Sequence, residues 1–195
     1  MKPEHAIRGE RLSLQPLQLA GNDEDTYLSW LRDPLVTKFL EARLTDYTCD
    51  KLRAYVKGEN ANHDSVLFAV QTEPEGSFIG TIKLSRIRQE HRHCEVALMI
   101  GNRAAWGKGY GTEAIKLACT YAFDSLGLHK VAAGLYHTNK GSERAFQKAG
   151  FTLEGRLIDD RWDGERWVDK LVYGLINPKE LPKETTANND SGGAE

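Results

Sequence analysis

Apolar side chains recur with a changing period along the chain, and each change of period marks an element. Arg11-Leu12-Ser13-Leu14 alternates polar with apolar residues, which suits a first strand ended by Pro16. Beyond Asn22 and Asp23, a pair suited to capping, Tyr27, Trp30 and Leu31 fall three and four apart and predict a helix to Arg32. Asp33-Pro34 stops it. Residues 36–44 read as a loop, and Thr45 and Asp46 precede a second helix through Leu52, Tyr55 and Val56, with Gly58 as its terminator. Branched and aromatic residues crowd 66–71 and 78–87 on either side of Pro74-Glu75-Gly76, which marks a hairpin, and residues 95–100 follow as a further strand.

Helical spacing returns over residues 112–126, where Ile115, Ala118, Cys119, Ala122 and Leu126 form an inner stripe that Gly127 closes. A strand at 131–136 and a short helix at 139–148, ended by Gly150, come next. Residues 156–162 and 166–176 flank Asp163-Gly164, a strong hairpin signal. From Asn177 onward no period survives, so a single domain at 1–176 is expected to end in a disordered tail at 177–195. The order of elements predicts a mixed α/β (α+β) fold.

Composition narrows the function. A formal net charge of -2 over 195 residues, with basic residues scattered, gives no footprint for nucleic acid. No apolar run reaches a membrane span and the start lacks a signal peptide's apolar stretch, so no membrane partner and a cytoplasmic location are expected. Cys49, Cys94 and Cys119 are odd in number and form no Cys-x-x-Cys pair, which fits reduced thiols and no structural zinc. His91, His93 and Cys94 invite a metal or thiol reading, but no second ligand pair has zinc spacing.

Chemistry concentrates in Trp106-Gly107-Lys108-Gly109-Tyr110-Gly111-Thr112, between a strand and a helix. Three alternating glycines leave N–H groups bare, and the helix that follows adds unpaired donors and a positive dipole end. Together these favour a phosphate. Lys108 adds charge there or stands in solvent. A dinucleotide fingerprint needs glycine where Thr112 stands, and a nucleoside-triphosphate loop needs a Gly-Lys-Ser/Thr that Gly109-Tyr110 does not supply.

Residues 106–111 instead resemble the coenzyme A signature of the GNAT acetyltransferase superfamily, Gln/Arg-x-x-Gly-x-Gly/Ala, and residues 106–114 resemble its RimJ/RimL-like branch. Trp106 departs from the wider pattern, which has Gln or Arg there. The resemblance spans residues 12–176 and implies a GNAT-like fold: a mostly antiparallel central sheet of about seven strands with helices on both faces. It also implies that the fourth and fifth strands, here 95–100 and 131–136, splay apart so that the pantetheine arm of acetyl-CoA pairs between them. The implied activity is acetyl transfer to a primary amine by direct attack, with acetyl-CoA as co-substrate and no metal.

Such a transfer needs a base for the ammonium, donors for the oxyanion and a proton for the thiolate. Glu95-Val96-Ala97-Leu98-Met99-Ile100-Gly101 resembles the branch's Glu-Ile-Gly-x-Trp-x-Gly, which makes Glu95 the base, directly or through water; its plainer reading is a strand-end carboxylate paired with Arg92. Met99 and Ile100 would face the coenzyme, with an N–H near Met99 meeting the oxyanion. Asn139 through Phe151 resembles Asn-x-x-Ser-x-x-x-Tyr-x-x-x-Gly-Phe, with Phe146 in the tyrosine's place. Ser142 then becomes the candidate acid, although a serine there also suits a helix cap, and Asn139 and Phe146 would line the coenzyme.

By the same resemblance, the acceptor side would be lined by Phe39, Glu41, Arg43, Arg161 and Trp162. That mixture suits a small-molecule amine of amino-sugar or polyamine type, with a protein N-terminus, or a non-catalytic acyl-CoA sensor, as alternatives. A monomer or homodimer is expected.

Overall fold

The structure, a computed structural model, describes residues 2–181. Its elements are β1 (Ile7–Arg8), β2 (Leu12–Pro16), α1 (Asp23–Arg32), α2 (Pro34–Thr37), α3 (Cys49–Ala61), β3 (Val66–Thr72), β4 (Phe78–Arg88), β5 (His93–Ile100), α4 (Tyr110–Asp124), β6 (Lys130–Tyr136), α5 (Lys140–Lys148), β7 (Thr152–Trp162) and β8 (Trp167–Ile176). Eight strands form one sheet in the order β1-β2-β3-β4-β5-β6-β8-β7. All neighbours are antiparallel except β5 and β6. The extra strand β1 is two residues long, too short to show a period.

Alternation along β3 explains the layers. Val66, Phe68 and Val70 join α4 and α5 in one apolar cluster, while Leu67 and Ala69 join α1, α2 and α3 in another. The sheet is therefore covered on both faces. Ile115, Ala118 and Ala122 of α4 are fully buried, as the helical stripe requires. Each such buried Leu or Ile side chain contributes roughly 1.5–3 kcal/mol.

Several boundaries differ from expectation. Asp33 stops α1 and also starts α2, because its carboxylate accepts from the Leu35 N–H (2.8 Å) and Pro34 needs no N–H in a first turn. The presumed loop thus contains α2 and a 3-10 turn at Glu41–Leu44. Helix α3 is capped by Thr48 and runs through Gly58 to Ala61, because a glycine weakens a helix by only about 1 kcal/mol. At the other end, Pro178–Glu180 forms a 3-10 turn rather than disorder. Asn177, buried and donating to Leu128 O, and the exposed Glu180, bonded to Arg92 and His129, fasten it; residues 182–195 of the expected tail lie outside the described residues.

One feature of the sheet positions the candidate site. β5 and β6 pair only at His93, Cys94 and Glu95, against Lys130, Val131 and Ala132. Beyond that point β5 continues on β4 to Ile100, and β6 continues on β8 to Tyr136, so the two strands part.

Candidate active site

The residues joining β5 to α4 carry two glycines in the left-handed region, Gly107 at φ 74° and Gly109 at φ 86°, which other residues adopt only with strain. Gly109 occupies the cap of α4, and its carbonyl accepts the first helical bond from the Glu113 N–H (3.1 Å). The N–H groups of Tyr110, Gly111 and Thr112 precede that bond and point out of the helix end. Gly111 is needed for a different reason: a Cβ there would stand 3.2 Å from Leu98 Cδ2.

Main-chain groups also face the gap between β5 and β6. The Gly101 N–H donates to Ile79 O (2.9 Å), and the register with β4 is unbroken from Glu95 to Ile100. Alternation then turns the amides of Met99 and Ala97 toward β4, and those of Val96, Leu98 and Ile100 toward the gap. The donor expected near Met99 is accordingly Leu98, since the Met99 N–H belongs to the sheet. Across the gap, the His137 N–H bonds to Asp169 O (3.0 Å), so Ala132, Gly134 and Tyr136 present their amides to β5.

The cradle and the outer end of β5, at Leu98, Met99 and Ile100, line one cleft of about 1080 Å³. It brings together Phe39, Met99, Ile100, Trp106, Gly107, Gly109, Tyr110, Gly111, Thr112, Asn139 and Ser142. Asn139, not Ser142, caps α5, accepting from the Ser142 N–H at 3.1 Å. The Ser142 hydroxyl lines the cleft without a hydrogen-bond partner among the described residues. Lys116, Arg144 and Lys148 line the same cleft from α4 and α5, without ion-pair partners among the described residues, and had no motif to announce them.

Other expected site residues lie elsewhere. Phe146 is 1% exposed and packs edge-on against Phe151 at 5.0 Å, so it belongs to the core and does not line the cleft. The Lys108 side chain stays outside the cleft lining, while its carbonyl accepts from Arg11 Nη1 (3.0 Å). Trp106 bonds Ile100 O through its indole N–H (2.7 Å), which uses its one donor within the chain.

Glu95 stands at the vertex where β5 and β6 part, on the face opposite buried Cys94 and Val96. It does not line the main cleft, and it pairs with Arg86 Nη1 at 2.9 Å rather than with Arg92. Arg86 reaches it from a left-handed residue (φ 51°) at an irregularity in β4. Neighbouring Cys94 is fully buried, and burial pushes its thiol up to about 12, which makes it inert as a nucleophile. Among the described residues, no cluster of three or more His, Cys, Asp or Glu side chains suits a metal ion.

The five expected acceptor residues meet in one network beside the cleft. Arg43 donates to Leu40 O (3.0 Å), to Tyr136 Oη (2.9 Å) and to Trp162 O. The Tyr136 hydroxyl donates to Glu41 at 3.3 Å, Arg161 lies 3.9 Å from Glu41, and the Phe39 and Tyr136 rings are 5.9 Å apart. Tyr136 is the centre of this network and is absent from the sequence-based set, because it reads only as the last apolar residue of a strand. Trp162 and Trp167 stack edge-on at 5.6 Å on the final hairpin.

Known proteins share this architecture. The acetyltransferase (GNAT) domain family matches residues 11–152. YjcK of Bacillus subtilis strain 168, a candidate N-acetyltransferase, is 29% identical over 176 residues, 88% of this chain and 97% of its own length. Spermidine N(1)-acetyltransferase of Escherichia coli K12 is 32% identical over 124 residues, covering 64% of this chain and 66% of its own. The candidate ribosomal N-acetyltransferase YdaF of Bacillus subtilis is 31% identical over 102 residues, 52% of this chain and 55% of its own. The structure of spermidine N-acetyltransferase from Vibrio cholerae, in complex with CoA and spermine, shares the fold: TM-score 0.76 at 21% identity, covering 88% of this chain and 98% of that one. With the family matching residues 11–152, the chain belongs to the GNAT acetyltransferase family and is an acyltransferase.

Proposed function

We propose that the chain transfers the acetyl group of acetyl-CoA to a primary amine on a small molecule of polyamine or amino-sugar type. The observation that carries this reading is the continuity, in one cleft, of the bare glycine turn with the edge of β5 beyond its last pairing with β6. The turn suits a diphosphate, and the gap suits an amide-bearing arm that pairs with Leu98 and Ile100 as a strand would. Lys116, Arg144 and Lys148, without ion-pair partners among the described residues, outnumber the unpaired Glu10 in the cleft lining and suit further phosphate charge.

In the transfer, Glu95 takes the proton of the attacking ammonium through water, since its carboxylate stands at the vertex but outside the main cleft. The amine nitrogen forms a bond to the thioester carbon, and the Leu98 N–H donates to the oxygen that gains the charge. When the oxygen's charge re-forms the carbonyl and the carbon–sulfur bond breaks, Ser142 gives its proton to the departing sulfur and recovers one, through water, from the nitrogen that becomes the amide; Phe146 has no proton for that role.

Support for a small amine comes from the spermidine acetyltransferases among the relatives and from a proposed acceptor wall in which the Glu41 carboxylate accepts from Tyr136, whose ring lies 5.9 Å from that of Phe39. The YdaF relative favours a protein N-terminus as second reading. Thiol release from acetyl-CoA, measured over polyamines, amino sugars and peptides with free N-termini, separates them. Turnover is expected with the small amines. Faster turnover with the peptides would favour the second reading, and tight coenzyme binding without turnover of any amine would contradict both.

A further inference from the structure

Two facts about the coenzyme end of the cleft conflict on charge. Trp106 occupies the position where the family signature supplies Gln or Arg, and its indole N–H is already bonded to Ile100 O (2.7 Å). Glu113, one turn into α4, meanwhile sets a carboxylate beside the helix end that should receive phosphates. A carboxylate there is attracted to the same dipole as the ligand and would repel it.

Arg11, a hundred residues earlier in the chain, resolves the conflict. Its Nε and Nη2 both lie 2.9 Å from Glu113 Oε2, and its Nη1 donates to Lys108 O at 3.0 Å. Its own N–H and that of Leu12 donate to Glu113 Oε1 at 2.8 and 3.1 Å. The guanidinium lies 4.9 Å from the centre of the Tyr110 ring, and Nη2 is 3.4 Å from where a Gly109 Cβ would stand. These contacts hold it in the cleft lining, against the turn itself. One N–H on each terminal nitrogen is left unspent, and the side chain is 45% exposed.

We infer that Arg11 is the cation held against the glycine turn itself: it neutralises Glu113, fixes the turn through Lys108 O, and turns its remaining N–H groups to the diphosphate, while Lys116, Arg144 and Lys148 line the cleft from α4 and α5. The inference rests on the acetyl-CoA reading and assigns to the start of β2 the charge that the signature position lacks. It makes Arg11 a binding and positioning residue, outside the chemistry of transfer.

Calorimetric binding of acetyl-CoA and of acetyl-pantetheine, which carries no phosphate, tests it in the wild type, Arg11→Gln and Glu113→Gln. Arg11→Gln should weaken acetyl-CoA about tenfold or more, as expected for a lost charged hydrogen bond, and leave acetyl-pantetheine unchanged. Glu113→Gln keeps Arg11 and removes its counter-charge, so acetyl-CoA should bind tighter. A merely structural Arg11 predicts the reverse, with both variants weaker for both ligands. Equal loss for the two ligands in Arg11→Gln, or weaker acetyl-CoA binding in Glu113→Gln, overturns the inference; should Arg11→Gln fail to fold, the Glu113→Gln result decides alone. A wild type that binds no acetyl-CoA overturns the transferase reading itself, and wild-type binding matched by Arg11→Gln overturns only the role of Arg11.

Discussion

At the coenzyme end of the cleft, the groups presented to a ligand belong mostly to the main chain: the bare turn at Gly107 and Gly109, the first N–H groups of α4, and the gap-facing amides of Leu98 and Ile100. In the proposed acceptor wall beside the cleft they belong to side chains drawn from separate parts of the chain: Phe39 and Glu41 before α3, Tyr136 at the end of β6, and Arg161 and Trp162 on the last hairpin. Main-chain recognition depends on backbone shape and survives most substitutions. Side-chain recognition changes with any one of several residues, so the acceptor can diverge while the coenzyme stays the same. The relatives fit this contrast, since polyamine-named and ribosome-named proteins align with one chain.

The largest expected break falls between the two ends. Glu95→Gln should lower kcat on the order of 100- to 10,000-fold, the range for a lost general base, with acetyl-CoA affinity preserved; steady-state kinetics and calorimetry together check it. Next, Gly109→Val puts a branched side chain at φ 86° and into the approach to the turn. Strain of about 1–2 kcal/mol plus obstruction should weaken acetyl-CoA binding on the order of 100-fold, read by calorimetry.

These effects also separate what the sequence reveals from what it conceals. The turn was legible because Gly-x-Gly-x-Gly and a following helical stripe are local, and a local pattern is visible in a string. So were most strands and the parting of residues 95–100 from 131–136, once the family resemblance was recognised. Phe146 was misplaced because a core position and a cleft position on one short helix differ only by rotation, which α5 fixes by packing Phe146 on Phe151. Tyr136 and Arg11 were not singled out because their roles depend on partners 93 and 102 residues away, Arg43 and Glu113. Thr45-Asp46 misled because Thr48 also caps, and only the packing of Leu52 and Val56 decides which residue does so.

Smaller effects sharpen the acceptor side. Arg43→Ala removes donors to Leu40, Tyr136 and Trp162 and should raise the acceptor KM roughly tenfold while leaving that for acetyl-CoA unchanged. Least of all, Asp169 supports the bulged hairpin. The Asp159 N–H, and then the Arg156 guanidinium, hold its carboxyl below the usual aspartate range. A depressed folded value means stability that is complete above the unfolded value of about 4 and lost as pH falls through the folded one. The Tm of the wild type should therefore drop more steeply below about pH 4 than that of Asp169→Asn, as a pH series of thermal melts would show.

The most direct measurement is a crystal structure with acetyl-CoA bound. The diphosphate should lie on the N–H groups of Tyr110, Gly111 and Thr112, with the pantetheine arm between β5 and β6 and the thioester near Leu98. Density for the coenzyme elsewhere, with that turn bare, would contradict the account.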